Sequence, residues 1–138
     1  MSTSRRLAWS LLGLRLSVFL VFLVWTIDKF VRPSHAVGVF ADFYGIGGTA
    51  GVIPVLAGIE LLLLVAFVLG VARRFTYGAV LLLHAGSTLS SWAQYLAPFD
   101  GPNLLFFAAW PMLAACAALY ALRDHDAFTI GGARASIP

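Results

Sequence analysis

Ionisable side chains are scarce in this sequence, and cysteine is almost absent. Of the 138 residues, nine are lysine or arginine and six are aspartate or glutamate, so charged residues make up only 11% of the chain. Cys116 is the single cysteine. One cysteine excludes an intrachain disulfide, a Cys-x-x-Cys redox pair and a thiolate metal cluster within one chain.

The signature motifs of soluble catalysis are also missing. The sequence contains no phosphate-binding loop, no G-x-S-x-G turn and no H-E-x-x-H helix. Gly45, Gly47 and Gly48 follow no predicted strand, so they are not a dinucleotide-binding fingerprint. The spacing of His35 and Asp42 defines no metal site, and no metal is predicted. Whether the chain is an enzyme stays open at this point.

Hydrophobic residues dominate instead. They make up 61% of the chain, and the mean hydropathy is +0.92, well outside the usual composition of a soluble domain. The length leaves room for about four membrane spans with short connections. We therefore predict an all-α, polytopic membrane protein. Residues 1–138 would form one transmembrane domain, a four-helix bundle with spans at about 7–27, 51–72, 77–95 and 104–122.

Two further segments call for an interpretation. The N-terminal apolar run resembles a signal peptide, but it is long and no clear small-x-small cleavage site follows, so a retained first helix is predicted. In the first outer loop, Pro33 and Ser34 favour the start of a short surface helix, which the glycines from Gly45 would end. The tail from Arg123 is short and polar, and we expect it to be partly flexible.

Basic residues predict the orientation in the membrane. Lys29 and Arg32 would lie on one side, and a larger group would share the other side: Arg5, Arg6, Arg73, Arg74, Arg123 and Arg134. By the positive-inside rule, both termini are predicted to be cytoplasmic, in a bacterial inner membrane. The net charge of +3 is thus interpreted as a topology signal, and no nucleic-acid partner is predicted.

One carboxylate stands near the middle of the most apolar run. Glu60 lies inside the segment Gly51 to Arg74. An ionisable side chain in the membrane core costs about 2.5 to 3.5 kcal/mol on insertion scales, so it normally faces the bundle interior and has a partner. Glu60 is therefore the first candidate site residue.

Two other ionisable residues are predicted to lie at a similar depth. Arg15 and His84 fall, like Glu60, roughly 12 to 18 Å into the membrane at about 1.5 Å per residue. On the third helix, polar residues share one face with His84, namely Ser87, Thr88, Ser91 and Tyr95. The predicted ligand or proton pocket is Glu60, Arg15, His84, Ser87, Thr88 and Ser91. Asp28 and Lys29 would line its outer mouth.

Purely structural interpretations of the same residues stay open. Arg15 could extend its side chain back to the interface instead of turning inward to a carboxylate. A buried ion pair could serve solely to set the register between helices. His84 would then form a hydrogen bond with a backbone carbonyl or a hydroxyl. Asp28 and Lys29 could simply be a solvated helix end.

A family resemblance adds an expectation. The string A-G-I-E-L-L-L-L-V-A-F-V-L-G-V-A-R-R, with Glu60, Gly70 and Arg74 at those spacings, resembles the second helix of the DoxX-like family of small four-helix membrane proteins. Arg15 inside the first helix and Lys29 at its outer end agree with this pattern. The family's usual glycine shortly before that lysine is absent here, since the segment reads Trp-Thr-Ile-Asp.

The resemblance implies a four-helix bundle with both termini inside, and membership of a redox-linked assembly. Some relatives are described as subunits of thiosulfate:quinone oxidoreductase or as partners of membrane oxidoreductases. Related folds include assembly chaperones and thiol oxidoreductases, for which this chain lacks the cysteines. The predicted function is thus an inner-membrane accessory or quinone-facing subunit of a redox-linked complex. The alternatives are a non-catalytic scaffold or assembly factor and, third, a small transporter subunit.

The predicted partners follow from that function. They are the lipid bilayer, other membrane or redox proteins and a second copy of the chain. No intrinsic cofactor is predicted, and quinone is the candidate exchangeable cofactor.

Overall fold

The computed structural model describes residues 1–130, of which 79% are helical and none lies in a β-strand. This confirms the all-α prediction. Six α-helices are present in the described part of the chain: α1 (Thr3–Val31), α2 (Pro33–Tyr44), α3 (Ile53–Leu69), α4 (Arg73–Ser90), α5 (Trp92–Leu96) and α6 (Ala109–Ala121). Two 3-10 helices, Asn103–Ala108 and Arg123–His125, flank α6.

Local signals in the sequence explain several helix ends. The Ser2 hydroxyl accepts a hydrogen bond from the Arg5 amide and caps α1. Pro33 begins α2, and Gly45 ends it with a φ of 67°, a left-handed conformation that glycine adopts without strain. The predicted short helix in the first loop is therefore confirmed. Its position on a membrane surface stays a prediction.

Four helices form a closed ring. α1 contacts α3 and α6, and α4 also contacts both of them. α1 and α3 run antiparallel, because Arg15 of α1 lies beside the end of α3 at Gly70, whereas Thr26 lies beside Glu60 in the middle of α3. α4 and α6 are also antiparallel, since Gly78 lies beside Tyr120 and His84 beside Ala109. The core between them contains residues from all four helices: Leu11, Val18, Leu64, Phe67, Tyr77, Val80, Cys116 and Leu119.

The prediction of four membrane spans is not supported by the lengths and hydropathies of the helices, which give two candidate spans in the described part of the chain. Within residues 1–130, α1 and the segment Asn103–Ala121 are long and apolar enough to cross a membrane. α3 is equally apolar but has only 17 residues. α4 does not meet the criterion, since its arginines, histidine and hydroxyl residues lower its hydropathy. The predicted third span is also interrupted, because α4 ends at Ser90 and α5 begins at Trp92.

The two ends of the ring differ in charge. The beginning of α1, the turn from α3 to α4 and the end of α6 lie together at one end, called here the basic end. It contains Arg5, Arg6, Arg73, Arg74 and Arg123, while Arg134 lies outside the described residues. α2 packs against α1 and α3 near the other end, called the α2 end.

Candidate functional site

The predicted key acid, Glu60, is held by two residues of α1. Lys29 Nζ lies 2.6 Å from Glu60 Oε2, and Thr26 Oγ1 lies 2.9 Å from Glu60 Oε1. Thr26 and Lys29 are three residues apart on α1 and so share one helical face. Both charged side chains are only 16% exposed. The Glu60 carboxylate is therefore neutralised inside the chain, with one positive charge and one hydroxyl beside it.

The Thr26 hydroxyl has a second acceptor within reach. Its Oγ1 also lies 2.8 Å from the Phe22 carbonyl, one turn earlier on α1. A hydroxyl has one proton and can donate to only one acceptor at a time. Because Thr26 is fully buried, its hydroxyl donates either to Glu60 or to the Phe22 carbonyl, without competition from water.

Asp28 takes no part in this pair. Its carboxylate receives hydrogen bonds from Arg32 Nε at 2.6 Å and lies 2.6 Å from His35 Nδ1, at the junction of α1 and α2. His35 in turn stacks on Trp25, with ring centroids 6.4 Å apart. Because adjacent residues of a helix point about 100° apart, Asp28 faces α2 while Lys29 faces α3.

α2 covers the predicted outer mouth. Asp28 and Lys29 do line a common cavity at the α2 end, together with Trp25, Ala36, Val39 and Phe40. Its volume is about 20 Å³. That is enough for one water molecule and far below the size of a quinone ring.

A second polar cluster, which the sequence analysis missed, lies near the basic end. Arg15 Nη1 donates to Asp126 Oδ2 at 2.8 Å and to Tyr77 Oη at 3.0 Å, and the Tyr77 hydroxyl donates to Asp126 Oδ2 at 2.6 Å. Arg15 Nη2 also donates to the Phe128 carbonyl. The three side chains are all buried. Arg15, Tyr77 and Asp126 thus form a buried ion pair bridged by the phenol of Tyr77.

Two atoms of this cluster keep hydrogen-bonding capacity. Arg15 Nε and Asp126 Oδ1 are buried and have no partner within residues 1–130. Unpaired buried polar atoms carry a desolvation cost, which limits how much the ion pair stabilises the fold.

The predicted convergence of Arg15, Glu60 and His84 is not found. Arg15 turns inward to a carboxylate, as one alternative had it, but that carboxylate is Asp126 and not Glu60. Eleven residues separate Arg15 from Thr26, which corresponds to about 16 Å along α1. Arg15 and Glu60 do not lie at the same level along the bundle. The first three turns of α1 extend past the α3–α4 turn, so Arg15 lies beside the end of α3, whereas Glu60 lies in its middle.

His84 belongs to neither the Glu60–Lys29 pair nor the Arg15–Asp126 cluster, and its ring forms a hydrogen bond with the backbone of α6. Its Nε2 donates to the Ala109 carbonyl at 3.0 Å, since a carbonyl can only accept. Its ring contacts Phe22 edge-on, at a centroid distance of 6.1 Å. This is the arrangement of a structural histidine that fixes α4 against α6.

The polar face of α4 is narrower than predicted. Thr88 and Ser91 are buried, but Ser87 is exposed and points away from the bundle. Thr88 Oγ1 donates to the His84 carbonyl at 2.7 Å, and Ser91 Oγ to the Ser87 carbonyl at 3.2 Å. These hydroxyls therefore bond to their own helix, and Ser87 does not join the predicted interior group.

The described part of the tail, from Arg123 to Ile130, is docked against the ring of helices. The predicted partial flexibility of the tail stays a prediction, because residues 131–138 lie outside the described residues. Arg73 Nη1 donates to the carbonyls of Arg123 and Asp126, and the Ile130 amide donates to the Leu69 carbonyl at 2.9 Å. Phe128 packs on Trp9 of α1. A sequence signal did exist, because two of the six acidic residues, Asp124 and Asp126, fall in this short tail.

The possible metal ligands and the single cysteine all lie within the described residues. Within residues 1–130, no group of three or more histidine, cysteine or acidic side chains could hold a metal ion. Cys116 is free and buried in the core between the helices.

Comparisons of the chain with protein-family models, with curated proteins and with solved structures gave no match. The resemblance to the DoxX-like family stays an expectation from the sequence.

Proposed function

We propose that this chain is a four-helix integral membrane protein. Large apolar side chains point outward from α1, α3, α4 and the 3-10 helix that leads into α6: Leu20, Leu62, Leu82 and Leu105 are each at least 60% exposed. In water such a surface would drive aggregation. A helix that is apolar on all sides needs an apolar environment, and lipid provides it. At 17 residues, α3 is about 25 Å long, which is at the lower limit for a span.

The proposed orientation places the basic end in the cytoplasm of a bacterium. The basic end contains five of the arginines in the described residues, against Lys29 and Arg32 at the α2 end. Under the positive-inside rule this asymmetry favours cytoplasmic termini and an α2 helix that lies over the outer surface.

Within that membrane, we assign the chain the role of a non-catalytic accessory subunit that supports a larger complex. One observation carries this assignment: the buried charges of the bundle are matched inside the chain. Glu60 pairs with Lys29, and Arg15 with Asp126. Charges that neutralise each other hold helices in register, and both of these buried acids have a basic partner.

The segment that contains α6 has more surface left for a partner than α1 has. Of the two long apolar segments, the one that contains α6 has 11% of its most apolar stretch buried, against 28% for α1. Ala114, Ala117 and Ala121 are exposed on α6 at helical spacing. Small residues let a neighbouring transmembrane helix approach closely, which suits contact with another membrane subunit.

The test is co-purification from membranes. The tagged chain is extracted with a mild detergent, and its bound proteins and quinones are identified by mass spectrometry. We expect a stoichiometric membrane-protein partner, reduced several-fold by Ala117→Leu, which fills the proposed contact. Ala93→Leu, at an exposed alanine of α5, is the matched control and should retain the partner.

The quinone-facing role is the competing outcome of the same experiment. A redox-linked complex is what the DoxX-like resemblance implies. If quinone co-purifies with the wild-type chain and is lost in Glu60→Gln, the accessory assignment is replaced by a ligand pocket at Glu60. If neither a partner nor a quinone is recovered and the chain is monomeric, the accessory role is wrong.

A further inference from the structure

An open cleft lies at the basic end, between the α3–α4 turn and the docked tail. Its volume is about 450 Å³, within the roughly 300 to 1,000 Å³ typical of small-molecule sites. The lining residues are Gly70, Ala72, Arg73, Arg74, Phe75, Arg123 and Asp124. The cavity beside Lys29 at the α2 end, by comparison, has a volume of about 20 Å³.

The cleft is positively charged. Three arginines line it against one acid, Asp124. Arg73 Nη1 is engaged by the carbonyls of Arg123 and Asp126, and Arg123 Nη1 by the Tyr120 carbonyl. Each guanidinium has five N–H donors, so both retain donors for an anion. The Arg74 side chain is exposed and makes no hydrogen bond within residues 1–130.

The start of α4 adds to this charge. α4 begins at Arg73, and its N-cap Ala72 provides no side-chain hydrogen bond. There is no acidic residue in the first turn. The amides of Phe75 and Thr76 donate to the Ala72 carbonyl. Those of Arg73 and Arg74 have no backbone acceptor within residues 1–130. These two amides and the positive end of the helix dipole therefore lie at the cleft together with the arginines.

Apolar surface borders the same cleft. Phe75, one of its lining residues, is 79% exposed. Arginine donors beside an outward-pointing aromatic match a ligand with an anionic head and apolar chains. A free phosphate ion would use only the arginines and would leave Phe75 without a function.

We propose that this cleft binds the phosphodiester headgroup of an anionic phospholipid, with Phe75 against its acyl chains. The proposal rests on the membrane location proposed above, which puts the basic end at the headgroup level of the cytoplasmic leaflet. Basic pockets between transmembrane helices on that side of a membrane bind anionic headgroups.

The experiment compares lipid retention in native mass spectrometry. Wild-type protein is reconstituted in nanodiscs of phosphatidylethanolamine and phosphatidylglycerol, released, and its bound lipids are counted. Phosphatidylglycerol should be retained in preference to phosphatidylethanolamine. Arg74→Gln should weaken this preference about fivefold, the factor that corresponds to about 1 kcal/mol, and Arg74→Gln/Arg123→Gln about 25-fold.

The matched control removes the same charge elsewhere at the basic end. Arg5→Gln/Arg6→Gln also loses two positive charges, outside the cleft, and should weaken the preference much less than Arg74→Gln/Arg123→Gln does. An equal loss in the control, no preference in the wild type, or displacement of the lipid by millimolar inorganic phosphate would overturn the proposal.

Membrane location is measured separately, so the two proposals can fail independently. Carbonate-resistant sedimentation of the chain reports insertion and does not depend on which lipid is bound. An inserted, folded Arg74→Gln protein with unchanged lipid selectivity contradicts the cleft assignment alone. Circular dichroism and protease resistance of the tail establish that each variant is folded.

Discussion

Arg15 and Asp126 form a salt bridge of 2.8 Å across 111 positions of sequence, and both side chains are at least 98% buried. The pair joins the first half of α1 to the tail behind α6. Tyr77 donates to the same Asp126 oxygen, so α4 is tied to both. This cluster therefore closes the ring of helices at the basic end.

Breaking this salt bridge on one side should be costly. Asp126→Asn keeps the shape but leaves the Arg15 guanidinium buried without its counter-charge, and we expect a loss of about 3 to 5 kcal/mol in unfolding free energy. The measurement is unfolding in mixed micelles, with proteolysis of the tail as a second readout. Replacing both partners by apolar residues, Arg15→Met/Asp126→Leu, should cost less than Asp126→Asn alone. A stable Asp126→Asn protein with a protected tail would refute the role given to the pair.

The Glu60–Lys29 pair is expected to show energetic coupling. A double-mutant cycle with Glu60→Gln and Lys29→Met should give a coupling of about 0.5 to 3 kcal/mol, because both side chains are largely buried. The Asp28–Arg32 pair on the same helix is the control. Arg32 is 63% exposed, so that pair should contribute only about 0.3 to 0.5 kcal/mol. Zero coupling for Glu60 and Lys29 would contradict a structural role for Glu60.

Gly70 should tolerate no side chain. Its φ is 70°, and a Cβ there would overlap the Thr129 side chain and lie 3.1 Å from Arg15 Nη1. We expect Gly70→Ala to lose at least about 1 kcal/mol from the left-handed backbone alone and to displace the tail. Gly58→Ala, in the interior of the same helix, meets nothing within 4 Å and should gain about 0.5 to 1 kcal/mol. Equal effects of the two substitutions on the melting temperature would argue against the docked tail.

Cysteine labelling should report the proposed topology. In a Cys116→Ser background, Gly47→Cys and Asp100→Cys lie on the outer connections, whereas Ser4→Cys and Asp124→Cys lie at the basic end. A membrane-impermeant maleimide should label the first two in intact cells and the last two only after permeabilisation. The reverse pattern would invert the orientation, and labelling of all four in intact cells would argue against insertion.

The sequence predicted that the helices exist more accurately than it predicted where they end or are interrupted. Pro33 and Gly45 gave the ends of α2, because capping and turn formation depend on neighbouring residues only. The break at Ser91 and the 3-10 start of the last span were not predicted. Both depend on how Tyr95 and the following loop pack, for example through the Tyr95 hydroxyl that donates to the Thr88 carbonyl.

The candidate site was likewise predictable in its chemistry but not in the pairing of its residues. Glu60 was correctly expected to need a partner inside the bundle, since the cost of an isolated buried charge follows from its chemistry alone. The identity of that partner was not predictable. Arg15 and Lys29 are 14 residues apart on one helix, about 21 Å, and only the relative shift of α1 and α3 decides which of them reaches Glu60.

The amino-acid sequence by itself determined the helical class, the apolar character and the concentration of arginines at the ends of the helices. These properties arise from composition and from hydrogen bonds within a few residues. The tertiary structure decided that Glu60 pairs with Lys29, that Arg15 pairs with Asp126, and that His84 joins neither. Such pairs depend on the register between helices far apart in the chain, which side-chain packing across the whole ring sets.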